Sequence, residues 1–314
     1  MSGSRVVALG HYQPERVLTN ADLEKMVDTN DEWILQRTGI ATRRIAAEKE
    51  TVADMATEAG SSALKASGLA PSDIGQVIVA TCSAIDRSPS TAAQVAARLA
   101  IPSAVVFDLN NACAGFCTAL ATADHTVRAG AAKHALVIGA EKMSDLVDWT
   151  DRSSCILLGD GAGAAVVSAS DDARIGPAVW GSDPSRSNAV RLVNEWQPRF
   201  EQEGQSVFRW ATSELPAVAL QACERAGIAV GDLAAVVTHQ ANLRIIEALT
   251  KRMGLPEGVV IGRDVVESGN TSAASVPLAL SKMAERGELP SGKPVLLFAF
   301  GGGLSWAGQV ITAP

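Results

Sequence analysis

The chain has 314 residues, 47% of them hydrophobic, enough to bury a large core in one large domain or two of ordinary size. Its 27 Lys and Arg against 34 Asp and Glu leave a net charge of −7, which argues against general nucleic-acid binding because that needs many phosphate-neutralising cations. Five cysteines with no CxxC pair, and four scattered histidines, argue against a disulfide framework and a zinc site.

The opening segment, MSGSRVVALGHYQPERV, has charges and turn residues where a signal peptide needs an apolar core. No stretch is long and apolar enough to cross a bilayer, so a cytoplasmic protein is expected. Short β-branched runs then alternate with Ala-rich helical stretches. Strands are predicted at 76–81, 104–108, 134–139 and 163–168, and again at 234–239, 258–261, 294–299 and 307–312. Such alternation predicts an α/β fold with a largely buried sheet in each half. ACAGFCTALATA (112–123) is apolar all round, as a helix buried between two sheets must be. NTSAASVPLALSKM (270–283) is its counterpart.

The halves resemble each other. GLAPSDIGQVIVA from Gly68 and GIAVGDLAAVVTH from Gly227 are offset by 159 residues. RLAIP (98–102) answers RMGLP (252–256), VRAG answers AERG, and HALVIG (134–139) answers PVLLFA (294–299), all at nearly the same offset. At an offset of 157, Cys113 superposes on Asn270. Both then fall at the mouths of the two central helices, with His239 at a strand end. In α/β folds, sites form at strand C-ends and helix N-ends.

A cysteine facing the positive end of a helix dipole has a lowered pKa and gains thiolate character. That makes Cys113 a candidate nucleophile, while Cys82, Cys117, Cys155 and Cys223 are read as packing residues. Asn270 suits an N-cap equally well as an oxyanion donor. FAFGGGLSW (298–306) places three glycines after a strand, where backbone N–H groups can approach a substrate. A Cys–His pair alone fits a protease, a transglutaminase-like enzyme or an acyltransferase. An amide as second donor suits enolate chemistry at a thioester.

Taken together, ACAGF, HQANLRII, GNTSAAS, FGGGLSW, DTNDEWILQRTGIATRRI (28–45) and LGDGAGAAVV (158–167) resemble the β-ketoacyl-acyl carrier protein synthase III family. The resemblance implies a thiolase fold, a five-layer α-β-α-β-α sandwich of two halves, 1–170 with Cys113 and 171–314 with His239 and Asn270. It implies that Cys113 takes an acyl group from an acyl-coenzyme A, and that malonyl-acyl carrier protein then enters. His239 and Asn270 would hold the enolate formed on decarboxylation. The backbone N–H groups of Cys113 and Gly302 would form the oxyanion hole. Trp33 and Arg152 would sandwich the adenine of coenzyme A, beside Arg37 and Thr29. Gly204, Phe208, Ala241 and Asn242 would line the pantetheine tunnel. Arg209, Arg244, Lys251 and Arg252 would dock the acidic carrier protein, although such a cluster is commonly only a solvated face. Ser88 and Leu158 would border the acyl pocket, Ser88 by reaching across a homodimer. No metal or resident cofactor, nucleic-acid partner or membrane partner is implied.

Two departures from the family pattern stand out. Asp86, Arg87 and Ser88 precede Pro89 where relatives often carry an aromatic residue or Gln-Thr, and the stretch from Trp180 to Gly204 is short. The Ala-, Arg- and Val-rich composition points to a high-GC, actinobacterial genome, in which the same chemistry also serves polyketide pathways. Acyl transfer to an alcohol or amine and a non-catalytic scaffold are weaker readings, because Cys113, His239 and Asn270 are all present, and a Cys protease is weaker because no matching family motif supports it.

Overall fold

Two buried helices organise the molecule. Helix Gly115–Arg128 and helix Ser275–Glu285 carry Phe116, Leu120 and Val127, and Val276, Leu280 and Met283, into one core cluster between two sheets. Both are apolar on every side because both faces of the pair meet a sheet. Phe116 is fully buried there, which stabilises the fold by about 1.5–3 kcal/mol. The computed structural model describes residues 3–86, 88–194 and 196–314. Arg87 lies outside the described residues.

The strands, in chain order, are β1 (Gly3–Tyr12), β2 (Arg16–Thr19), β3 (Thr42–Ile45), β4 (Gln76–Ala80), β5 (Val105–Leu109), β6 (His134–Lys142), β7 (Asp160–Ser170), β8 (Val179–Ser182), β9 (Val190–Val193), β10 (Arg199–Gln202), β11 (Ala235–Thr238), β12 (Val260–Ile261), β13 (Pro294–Gly301) and β14 (Ser305–Thr312). One sheet runs β5-β4-β6-β7-β1 and the other β12-β11-β13-β14-β8. The orders correspond strand for strand. In both, the first three strands are parallel and the last two pairings antiparallel.

Alternation along the strands builds the layers. Ile78 and Ala80 of β4 face the central helices, while Val77 and Val79 face outward. The outward face packs against helices Val52–Ser67 and Thr91–Arg98. Helices Gly204–Ser213, Leu215–Ala226 and Leu243–Arg252 cover the outer face of the second sheet. The result is the five-layer α-β-α-β-α thiolase sandwich. Helix ends follow local chemistry: Thr51 and Asp54 form a capping box, and Gly68 closes the same helix at φ 69°.

The structure adds β1, which the sequence reading leaves unassigned, and the hairpin β9–β10. It also changes the repeat register at the central helices. Cys113 and Asn270 are not the first residues of α-helices. Cys113 sits in a 3-10 turn, Ala112–Ala114, and the matching turn is Ser272–Ala274. Each opens on a left-handed residue, Ala112 at φ 45° and Ser272 at φ 48°. The equivalent of Cys113 is therefore Ala273, and Asn270 lies just upstream in an isolated bridge with Leu158. Among the described residues, no helix is long and apolar enough to cross a membrane.

Candidate active site

The first turn follows the C-end of β5, and the Gly-rich end of β13 packs directly on it. A Cβ on Gly301 would lie 2.8 Å from Cys113 Cβ and 3.1 Å from its Sγ. Only glycine permits that approach. The second turn nests on β6 because Gly139 has no Cβ to strike the carbonyl of Ala273. The two turns therefore meet, and between them a cavity of about 430 Å³ opens. Cys113, Asn270, Gly302, Ser272 and Leu158 line it, together with Cys82 and Met143. Val190, Arg191, Leu192 and Phe200 from the β9–β10 hairpin also line it, so the short 180–204 stretch borders the cavity.

Asn270 is held by its backbone. Its N–H donates to the Leu157 carbonyl at 2.8 Å, and its carbonyl accepts from Gly159 N–H at 3.1 Å. Its Oδ1 accepts the Ser272 N–H at 2.8 Å, which leaves the two Nδ2 protons for another acceptor. His239 is not in the cavity lining. It lies behind it, with its N–H donating to the Phe298 carbonyl and its ring edge-on to Phe300 at 5.4 Å. Nδ1 hydrogen-bonds Ser275 Oγ at 2.8 Å, and Nε2 has no hydrogen-bond partner among the described residues. Burial drives its pKa from 6.5 down to about 3, so the imidazole is neutral.

The expectation of an acidic thiol is corrected. Burial pushes the Cys113 thiol up to about 12, opposed only partly by a hydrogen bond from Ser272. Cys82 also departs from its packing assignment. Cys117, Cys155 and Cys223 are buried, but Cys82 is half-buried and faces the cavity.

Two further cavities follow the first in series. One of about 360 Å³ shares Arg191 and Phe200 with it. That cavity in turn shares Ser153 and Gln202 with a third of about 820 Å³, lined by Trp33, Arg37, Gly204, Phe208, Arg209, Asn242 and Arg244. Shared wall residues thus run in series from the cavity of Cys113 to that of Trp33. Asn242 doubles as the N-cap of its helix. Ala241 does not line the third cavity and packs instead beside the second sheet's outer cluster. Thr29 keeps its hydroxyl buried and unpartnered.

The guanidinium of Arg37 lies 4.4 Å and that of Arg152 5.1 Å from the Trp33 ring centre. A sandwiched ring needs roughly 7 Å, two van der Waals layers. The clamp is closed here, and Arg152 is tied to the Asp28 carbonyl at 2.8 Å. Ser88 is exposed and does not line the cavity of its own chain. Arg209, Arg244, Lys251 and Arg252 are exposed with no carboxylate in ion-pair range among the described residues. Arg252 nevertheless has a structural use, donating to the Thr212 carbonyl at 2.7 Å. Arg244 sits over the Phe208 ring at 5.6 Å.

Comparison with known proteins agrees with this geometry. The family model for 3-oxoacyl-[acyl-carrier-protein] synthase III matches residues 107–184, and the model for its C-terminal part matches 223–313. Beta-ketoacyl-[acyl-carrier-protein] synthase III 4 of Streptomyces coelicolor is 62% identical over 99% of both chains. The priming β-ketosynthase of the R1128 polyketide pathway superposes with a TM-score of 0.98 at 43% identity, covering 99% of this chain and 96% of that one. The synthase III of Aquifex aeolicus superposes at 0.93 with 40% identity, over 99% of this chain and all of the other.

Proposed function

The chain belongs to the 3-oxoacyl-[acyl-carrier-protein] synthase III family, and on that premise we propose that it primes fatty-acid synthesis. It condenses an acyl-coenzyme A with malonyl-acyl carrier protein to 3-oxoacyl-acyl carrier protein, with loss of carbon dioxide. The observation that carries this reading is the shared cavity of Cys113 and Asn270, with neutral His239 behind it and adjoining cavities in series towards Trp33.

Cys113 Sγ attacks the primer thioester, and the backbone N–H groups of Cys113 and Gly302 take the developing oxyanion. Coenzyme A leaves through the adjoining cavities. Malonyl-acyl carrier protein then places its thioester oxygen against Asn270 Nδ2 and His239 Nε2. In this reading Ser275 Oγ donates its proton to His239 Nδ1, which places the ring proton on Nε2. Two neutral donors stabilise the enolate as carbon dioxide departs, and the carbanion attacks the acyl-Cys. Trp33, Arg37, Arg152 and Thr29 bind the adenine end after the clamp opens. Gly204, Phe208 and Asn242 guide the pantetheine. Arg209, Arg244 and Lys251 face the carrier protein. Leu158 bounds the acyl group, and Ser88 acts across a homodimer. The two sheets support halves 1–170 and 171–314 in a cytoplasmic enzyme with no resident cofactor.

Acylation of Cys113 by acetyl-coenzyme A, read by intact mass, is the test: Cys113→Ala loses the adduct, while Asn270→Ala keeps it and releases carbon dioxide slowly from malonyl-acyl carrier protein. An acylated Cys113→Ala enzyme overturns the reading. A second reading, priming of a polyketide pathway, is favoured by the close superposition on the R1128 ketosynthase. A screen of acyl-coenzyme A primers separates the two.

A further inference from the structure

If Cys113 is the acyl acceptor, its proton has to go somewhere, and the nucleophile found here is a buried thiol. His239 is a poor recipient, because burial makes its imidazole a weak base and its Nδ1 is already committed to Ser275. The one carboxylate acting on the Cys113 thiol is Glu141, at the cavity end of β6 and fully buried. Glu141 accepts from the backbone N–H of Cys82, of Ser83 and of Ala273, and from the hydroxyls of Thr81 and Ser83. No cation lies within ion-pair range of it among the described residues; the adjacent Lys142 pairs with Asp145 instead.

The Ser272 hydroxyl connects the two groups. It lines the same cavity as Cys113, acts to lower the pKa of that thiol, and lies 3.7 Å from Cys82 Sγ. Cys82 in turn donates its S–H to Glu141 Oε1 at 3.3 Å. The left-handed backbone at Ser272 fixes that hydroxyl between the turns.

We propose that Ser272 and Cys82 relay the Cys113 proton to Glu141 during acylation, making Glu141 a positioning residue for the nucleophile. As Sγ bonds to the thioester carbon, its proton passes to Ser272 Oγ, the serine proton to Cys82 Sγ, and the Cys82 proton to Glu141. When the tetrahedral intermediate collapses, the carbon–sulfur bond to coenzyme A breaks. The departing thiolate recovers one proton by the reverse route, and Glu141 returns to the carboxylate. Atoms and charge balance without a co-reactant. Burial also raises the Glu141 pKa above the ordinary carboxylate value, bringing this acceptor closer to working pH.

The groups facing Glu141 are Cys82 and Ser83 after β4, Cys113 on the first turn, and Ser272 on the second. The test is single-turnover acylation of the full-length enzyme by acetyl-coenzyme A against pH, with the modified residue located by mass spectrometry. Wild type is expected to show an acid limb set by ionisation of Glu141, then a plateau. Ser272→Ala is expected to acylate about 10²-fold more slowly at neutral pH. It loses the plateau and rises tenfold per pH unit, because hydroxide must now remove the proton. KM for acetyl-coenzyme A stays within twofold. Glu141→Gln is expected to behave likewise and Glu141→Asp to recover part of the rate. Ser272→Ala decides the matter if Glu141→Gln is insoluble. Acylation of Cys113 with the wild-type pH profile in Ser272→Ala overturns the relay and leaves Cys113 as nucleophile. Wild-type enzyme that never acylates at Cys113 overturns the proposed function itself.

Discussion

Gly301→Ala tests whether the reactive geometry depends on the close contact between β13 and the Cys113 turn. The added Cβ would stand 2.8 Å from Cys113 Cβ, 3.0 Å from its backbone N and 3.1 Å from Sγ. Ordinary carbon contacts lie at roughly 3.5–4.0 Å, so the turn has to retreat by about 1 Å. Gly301 ends an eight-residue strand, and the atoms met include the backbone N of the Cys113 turn, so neither side yields freely. A displacement of that size at a reacting atom costs on the order of 10² in rate, and overpacking costs about 1–3 kcal/mol of stability. The assay is the acylation rate of Cys113, with thermal unfolding followed in parallel. Gly231→Ala is the control, since nothing lies within 4 Å of its would-be Cβ and its φ is ordinary. Acylation within twofold of wild type would refute the claim that Gly301 sets the nucleophile's position.

Three further outcomes are expected. His239 has a folded pKa near 3 against 6.5 when exposed, so the unfolded chain binds the extra proton. Its contribution is complete above pH 6.5 and is lost as pH falls towards 3, by about 1.4 kcal/mol per unit. His239→Asn should therefore show a shallower loss of urea stability than wild type between pH 6 and 5, and an unchanged slope counts against burial of the neutral ring. Arg43 is fully buried without a carboxylate, and its Nη atoms donate to the Asn20 Oδ1 at 2.7 Å and to the Ile156 carbonyl at 2.6 Å. Arg43→Met should cost about 2–4 kcal/mol in urea unfolding by stranding those acceptors, and a cost under 0.5 kcal/mol would show that they find other partners. Trp33→Ala should raise KM for acyl-coenzyme A roughly tenfold through loss of ring stacking, with kcat nearly unchanged; a fall in kcat alone would separate Trp33 from binding.

Much of the fold was legible because both sheets bury β-branched runs such as QVIVA and PVLLFA, and because both central helices are apolar on every face. The edge strand β1 was harder to read: GSRVVALGHY alternates irregularly, and its pairing with β7 shifts register between Val6 and Ala8. The hairpin β9–β10 is short and mostly exposed, so it carries no hydrophobic period. Cys113, Asn270 and Gly302 were visible as motif residues. Ser272 and Glu141 were not, because what singles them out is proximity across 131 positions, between a strand end and a turn in the other half. The acidic-thiol expectation failed for a related reason. A helix end is a local feature, whereas the burial that opposes it comes from both halves together.

The duplication explains why one fold supplies both partners of the inferred proton path. The same 3-10 turn occurs twice, each time opening on a left-handed residue ahead of a central helix. In the first half the opening residue is alanine and the next, Cys113, reaches the cavity. In the second half the opening residue itself, Ser272, reaches it, and the next is Ala273, whose N–H is held by Glu141 at 3.4 Å. The turns are equivalent in backbone but out of phase in which position carries chemistry. That offset places a hydroxyl beside a thiol instead of setting two identical side chains against each other. It also requires small residues elsewhere: a Cβ on Gly115 would meet those of Ala80 and Ala273 at 3.1 and 3.3 Å. Substituting larger side chains at Ala80 or Ala273 would push the turns apart without removing a polar atom. The nucleophile would then lose its proton path while keeping every group that the path contains.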